Sequence, residues 1–102
     1  MGEISGKLFP WNENNAKTIA EKPGVYGLYK TGNVLIYIGS SSNLRERFTH
    51  YWNTNFEEDK CKQATKMYKR EFRDDYKSRE RELLNQYQDE NGKLPDCNDV
   101  IP

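Results

Sequence analysis

Two charged residues occupy positions that their neighbours mark as buried. Successive helical residues lie about 100° apart, so Leu44, Phe48 and Tyr51 form one apolar stripe, and Arg47 falls inside it. In "YKSRERELLNQY", Tyr76, Leu83, Leu84 and Tyr87 form a second stripe with Glu80 in its middle, whereas Glu82 points away from it. A charge at such a position is costly unless it is paired or bound to a metal. Two arrangements satisfy that condition. Arg47 and Glu80 pair with each other, or both line a cleft in which the carboxylate holds a divalent cation and the guanidinium clamps a phosphate.

These groups need a scaffold, and the chain supplies its elements in order. "GVYGLYKTGNVLIYIG", residues 24–39, reads as a β-hairpin: β-forming runs flank the turn "KTGN". Alternation puts Tyr26 and Leu28 opposite to Val25, Gly27 and Tyr29. It puts Val34, Ile36 and Ile38 on one face and Leu35, Tyr37 and Gly39 on the other. Tyr26 and Tyr37 can then point to the same side. Gly39 ends the strand and admits close backbone approach. A helix is expected over 41–53, capped by Ser41 or Ser42, with Asn43 and Glu46 at capping-box spacing. Helix N-termini bind anions, which makes Gly39, Ser40 and Ser41 candidate phosphate-binding residues. Residues 53–65 read as irregular, 66–73 as a strand, and a helix capped by Asp74 or Asp75 runs to about Gln88. "ENGKLPDCN" closes the chain as a loop. The first 23 residues are polar, with a short helix expected in "NNAKTIAEK".

A chain of 102 residues suits one domain, residues 1–102. Charged residues reach 31%, but 13% are aromatic, and disordered chains are poor in aromatics; a folded domain with a small aromatic core is expected. Sixteen Lys and Arg balance sixteen Asp and Glu, so overall charge does not argue for a nucleic-acid partner. Residues 60–81 nevertheless carry nine cations against four acids, a net of +5, and residues 82–102 five acids against one lysine, a net of −4. Lys66, Lys69 and Arg73 are candidate contacts to a DNA backbone on this basic stretch. Cys61 and Cys97 fit no ligand pattern and read as two free thiols in a reducing compartment. No run has the length of a signal peptide or membrane span, so a cytoplasmic protein without a membrane partner is expected.

Five features taken in order resemble the GIY-YIG nuclease family. They are "GVY" at 24–26; "YIG" at 37–39; Asn43-Leu44 followed by Arg47; Glu80 followed at three and four residues by leucines; and the closing "LPDCN" with Asn98. The resemblance spans about residues 22–98. It is nearest in pattern to the catalytic domain of the bacterial excision-repair nuclease subunit, which "KPGVYGLY" also resembles. Many members place a histidine four residues after the arginine; here that residue is Tyr51, as in repair-type members, and His50 lies one earlier.

The resemblance implies an α/β (α+β) fold, a small three-stranded antiparallel sheet flanked by helices, with the active site on one sheet face. It implies a DNA endonuclease hydrolysing phosphodiester bonds with one Mg²⁺ or Mn²⁺ held by Glu80. Arg47 would bind the non-bridging oxygens, and Asn98 would join the phosphate-binding set. Tyr37 would position water or phosphate. Tyr26 would orient or deprotonate the attacking water, which requires its pKa of about 10 to be lowered. Two alternatives stand beside this reading: a non-catalytic nucleic-acid-binding relative, and a protein-interaction module with Arg47 and Glu80 as a structural pair. The balanced charge implies weak, unspecific DNA binding by the domain alone, or a DNA-binding partner protein or domain that delivers substrate.

Overall fold

The two β-forming runs pair as expected. In a computed structural model, which describes residues 3–102, they are β2 (Gly24–Lys30) and β3 (Val34–Ser41). β4 (Met67–Phe72) pairs antiparallel with β2, and a two-residue β1 (Phe9–Pro10) pairs with β4, giving the order β1-β4-β2-β3. The sheet thus has four strands where three were expected. Two residues are too few to show a period of two, so β1 leaves no alternating pattern to read. Three helices complete the fold: α1 (Glu13–Thr18), α2 (Leu44–Thr54) and α3 (Tyr76–Asn91).

Each sheet face covers its own core. On one side Tyr26, Leu28, Ile36 and Tyr68 pack with Leu44, Phe48 and Tyr51 of α2. On the other Val25, Tyr29 and Ile38 pack with Leu83 and Leu84 of α3 and with Ile4. Fully burying each such side chain contributes about 1.5–3 kcal/mol before entropy is counted. The polar N-terminal stretch is tied in by Trp11, whose ring lies 5.3 Å from Phe48 and 5.0 Å from Phe56.

Strict alternation in β3 fails at one place. Leu28 lies opposite Tyr37, but Tyr29 lies opposite Leu35, so Ile36 is the extra residue of a bulge. Ile36 therefore joins Tyr26 and Tyr37 on the α2 side, while Leu35 and Ile38 share the α3 side. The shift leaves Tyr37 beside Tyr26.

Helix α2 starts at Leu44, later than expected, because Asn43 rather than a serine caps it; its Oδ1 accepts from the Glu46 N–H at 3.1 Å. After α2, Asn55 to Glu58 carry positive φ values of 51–62° and turn the chain back across the end of the helix. Cys61 and Cys97 are joined by a disulfide, which corrects the expectation of two free thiols. Their 36-residue separation matches no short spacing rule, so only the tertiary fold brings them together. No helix among the described residues is long and apolar enough to cross a membrane.

The start of α3 is fixed to the sheet through Glu71. Its carboxylate accepts two hydrogen bonds from Arg79, at 3.0 Å each, one from Arg73 at 3.0 Å and one from the Ser5 N–H at 2.8 Å. Burial works against the charge, but these donors outweigh it and hold the Glu71 pKa at about 2, below its ordinary 4.5. A depressed carboxylate stabilises the fold fully above its unfolded value and ceases to do so as pH falls through its folded value. The shift corresponds to about 3 kcal/mol at most, and discounting for the solvent around Arg73 leaves about 2 kcal/mol. Glu71→Gln is expected to lose that amount at neutral pH. Urea unfolding followed down from pH 4.5 should show the wild type converging on the variant; parallel curves would remove the assignment.

Candidate active site

The site is built around Gly39. A Cβ there would stand 2.5 Å from the Tyr26 hydroxyl and 2.7 Å from the Tyr37 ring, so the absent side chain is the seat of both tyrosines. Their ring centroids are 6.1 Å apart. Tyr26 lies fully buried, opposite Gly39 in the ladder, and its hydroxyl shares a 2.7 Å hydrogen bond with that of Tyr51. Arg47 reaches the same spot, its Nη1 donating to the Tyr26 hydroxyl at 3.5 Å.

Burial, reinforced by Tyr51 and Tyr37, pushes the Tyr26 phenol well above 10, and Arg47 does not reverse this. Burial likewise raises Tyr37, with Tyr51 and Glu80 adding to it. The lowered pKa that water deprotonation by Tyr26 required is therefore not found: both groups are protonated hydrogen-bonding phenols at neutral pH. Arg47 keeps its charge, because the Tyr26 and Tyr51 oxygens outweigh the opposing effect of burial.

Glu80 sits on α3, on the far face of the sheet from the tyrosines, and meets them around the outer side of β3. Its Oε1 accepts from the Ser40 hydroxyl at 2.6 Å. It lines a cleft of about 250 Å³ together with Tyr37, Lys62 and Asn98. Among the described residues no cation lies within salt-bridge distance of Glu80, and Arg47 is occupied with phenol oxygens instead. The Arg47–Glu80 pair is thus absent, and the site straddles β3 rather than lying on one sheet face.

A model of the UvrC-like GIY-YIG domain matches residues 22–83. The chain belongs to the GIY-YIG family. UvrABC system protein C of Shigella dysenteriae serotype 1 (strain Sd197) is 38% identical over 39 residues, which is 38% of this chain and 7% of that protein. The proteins of that name from Escherichia coli O1:K1 / APEC and from Escherichia coli strain K12 / DH10B show the same identity over 39 residues, 6% of their length. The match thus spans only a small fraction of these relatives.

Of the residues singled out on the GIY-YIG pattern, Tyr26, Tyr37 and Arg47 come together, and Glu80 shares the cleft lining with Tyr37, while Tyr26 and Arg47 lie outside that lining. Others are placed differently. Ser41 is buried, and its hydroxyl bonds the backbone of Asn43 on both sides, at 2.9 and 3.1 Å. The first N–H of α2, from Leu44, goes to the Lys22 carbonyl at 2.9 Å, and that of Glu46 to Asn43. Two N–H groups of the expected anion site at the helix start are thus already taken, and Gly39, Ser40 and Ser41 stay in β3. Gly39 seats rings and Ser40 holds Glu80. Asn98 lines the cleft, but its amide spends both ends on the Ile38 backbone, accepting at 2.9 Å and donating at 3.0 Å. It is a clamp on β3.

The three cations expected on the DNA backbone do not form one surface. Lys66 and Lys69 are an odd number of residues apart on an extended chain and so face opposite sides, and Lys69 packs near Tyr29 on the α3 side. Arg73 is held by Glu71 and by Asp75, at 2.5 Å to the latter. Two further residues belong to the site. Tyr51, which the sequence places in the core stripe and four residues after Arg47, where many members have a histidine, bonds the Tyr26 hydroxyl. Lys62 lies in a segment without regular pattern and gave no signal.

Proposed function

We propose that this chain is a metal-dependent DNA endonuclease that hydrolyses phosphodiester bonds. The observation that carries the reading is that Arg47 and Glu80, each on an otherwise apolar helix stripe, do not neutralise each other. Arg47 is held ready on two tyrosine hydroxyls, and Glu80 is open to a cleft, so each charge is left for a ligand. A pair of this kind suits a phosphodiester and a cation better than it suits a structural contact.

The residues fit a hard divalent ion. No group of three or more His, Cys, Asp or Glu among the described residues could hold a metal. Glu80, in an open cleft whose lining also includes Asp59 and Asp99, matches Mg²⁺ or Mn²⁺, which bind through one or two carboxylates, keep several waters and take further ligands from substrate phosphates. When bound at Glu80, such an ion supplies charge neutralisation at the phosphate. Ser40 fixes the rotamer of Glu80 through its hydroxyl. Arg47 binds the non-bridging oxygens, where negative charge grows in the transition state. Tyr26 and Tyr51 orient Arg47, and Tyr37 presents a phenol O–H to water or phosphate at the cleft wall. The relatives' name and the domain match favour a repair-type role, in which a partner protein or an attached DNA-binding domain delivers the DNA.

The test is incubation of the chain with nicked, branched and duplex DNA, with Mn²⁺ and with EDTA. Cleavage is expected only with the metal. Arg47→Ala is expected to lower kcat by about 100-fold or more, the cost of removing one preorganised donor, while retaining Mn²⁺ binding. A metal titration showing lost Mn²⁺ affinity in this variant would contradict its role. DNA binding by the wild type without cleavage would leave a non-catalytic nucleic-acid-binding relative.

A further inference from the structure

Lys62 is an unusual surface lysine. Its side chain is only 14% exposed, and lysines are seldom withdrawn from water without a firm partner. The carboxylate within salt-bridge reach, that of Asp59, lies at 3.9 Å, too long for a hydrogen bond, and Glu80 and Asp99 line the same cleft. The Nζ instead lies 4.1 Å from the centre of the Tyr37 ring and 5.4 Å from that of Tyr51. It lines the same cleft as Glu80 and Asn98.

The backbone around Lys62 is held from two directions. Asp59 Oδ1 accepts from the N–H groups of Cys61 and Lys62, at 3.0 and 3.3 Å. Cys61 is bonded to Cys97, next to Asn98, which clamps β3. Holding a long side chain in one rotamer costs up to roughly 2 kcal/mol, and a cation over an aromatic ring at a partly exposed site returns only about 0.5–1 kcal/mol. The charge is thus kept at the cleft without a full internal partner.

We infer that Lys62 is a further substrate-binding residue, which contacts a backbone phosphate of the DNA strand lying in the cleft beside Tyr37 and Glu80. The inference rests on the reading of DNA as the ligand. Lys62 would act at Tyr37 and Arg47 at Tyr26, so that the strand is gripped at two points.

The test uses Lys62→Met, which keeps the apolar stem over Tyr37 and removes the charge, with Lys62→Gln as a second neutral variant should the first not fold. Lys62→Arg restores the cation. Fluorescence anisotropy with a short duplex oligonucleotide in EDTA, across a series of NaCl concentrations, gives the slope of log K against log salt. One lost phosphate contact reduces that slope by about 0.9. The neutral variants are expected to show this loss and Lys62→Arg the wild-type slope. A wild-type slope in a folded neutral variant overturns the inference. Cleavage by the wild type in Mn²⁺ is scored separately. Uncut DNA with the slope loss removes the nuclease reading and keeps Lys62; cut DNA with an unchanged slope does the reverse. A wild type that fails to bind DNA at the lowest salt overturns both.

Discussion

Glu80→Gln is expected to reduce cleavage to background while leaving stability within about 0.5 kcal/mol of the wild type, the range of substitutions that break no internal partnership. Gln keeps the shape, and its oxygen can still accept from the Ser40 hydroxyl, a contact of 2.6 Å in the wild type. It removes the negative charge that a hard divalent cation needs. Had Glu80 been the partner of Arg47, the same change would strand a half-buried guanidinium at roughly 3–5 kcal/mol. Arg47 instead rests on Tyr26 and Tyr51. Urea unfolding in EDTA, alongside a cleavage assay in Mn²⁺, reads both quantities. A large loss of stability with cleavage intact would sink the metal-site role of Glu80.

Reduction of the Cys61–Cys97 bond is expected to have the largest effect on stability. The bond closes a loop of 36 residues. Constraint of the unfolded chain by a loop of that length corresponds to about 4 kcal/mol in the entropic account, and measured values are often 2–4. Small domains have about 5–15 kcal/mol in total, so reduction removes a large share of it. Urea midpoints with and without dithiothreitol should separate clearly, and Cys61→Ser/Cys97→Ser should match the reduced wild type and ignore the reductant. Coincident curves for oxidised and reduced wild type would show that the bond does not constrain the fold in solution. The bond flanks Lys62 and Asn98, so reduction should also weaken DNA binding if both segments shape the cleft.

Periodicity made part of this site legible. Helical spacing alone singles out Arg47 and Glu80, because each interrupts a stripe whose other members are apolar. Strand alternation puts Tyr26 and Tyr37 on one side, and that survives although the bulge at Ile36 breaks alternation around it. What could not be read are partnerships that join distant backbone to a side chain. Asn98 satisfies Ile38, 60 residues earlier, so a residue that a motif marks as a ligand is consumed by the sheet. The pairing of Cys61 with Cys97 is equally non-local. Charge counting failed differently: a net of +5 over residues 60–81 does not say where the cations point, and Arg73 and Arg79 are held by Glu71 and Asp75 while β4 turns neighbouring cations to opposite faces. Alternation should have raised the last point from the sequence.

The clamp of Asn98 has a consequence for how this sheet meets other chains. β3 is the last strand on its side, and such a strand normally offers a row of unpaired N–H and C=O groups on which a foreign strand can template itself. Here the Cys97 N–H takes the Ile36 carbonyl at 2.8 Å, and the Asn98 amide takes both groups of Ile38. A primary amide can set an N–H donor and an oxygen acceptor side by side, as a peptide unit does, so one side chain imitates a rung of a fifth strand. At the opposite margin β1 is two residues long and ends in Pro10, which has no N–H to give. The middle of β3 is thereby blocked to a foreign strand by a loop, and β1 ends the opposite margin of the sheet with a proline, without another strand.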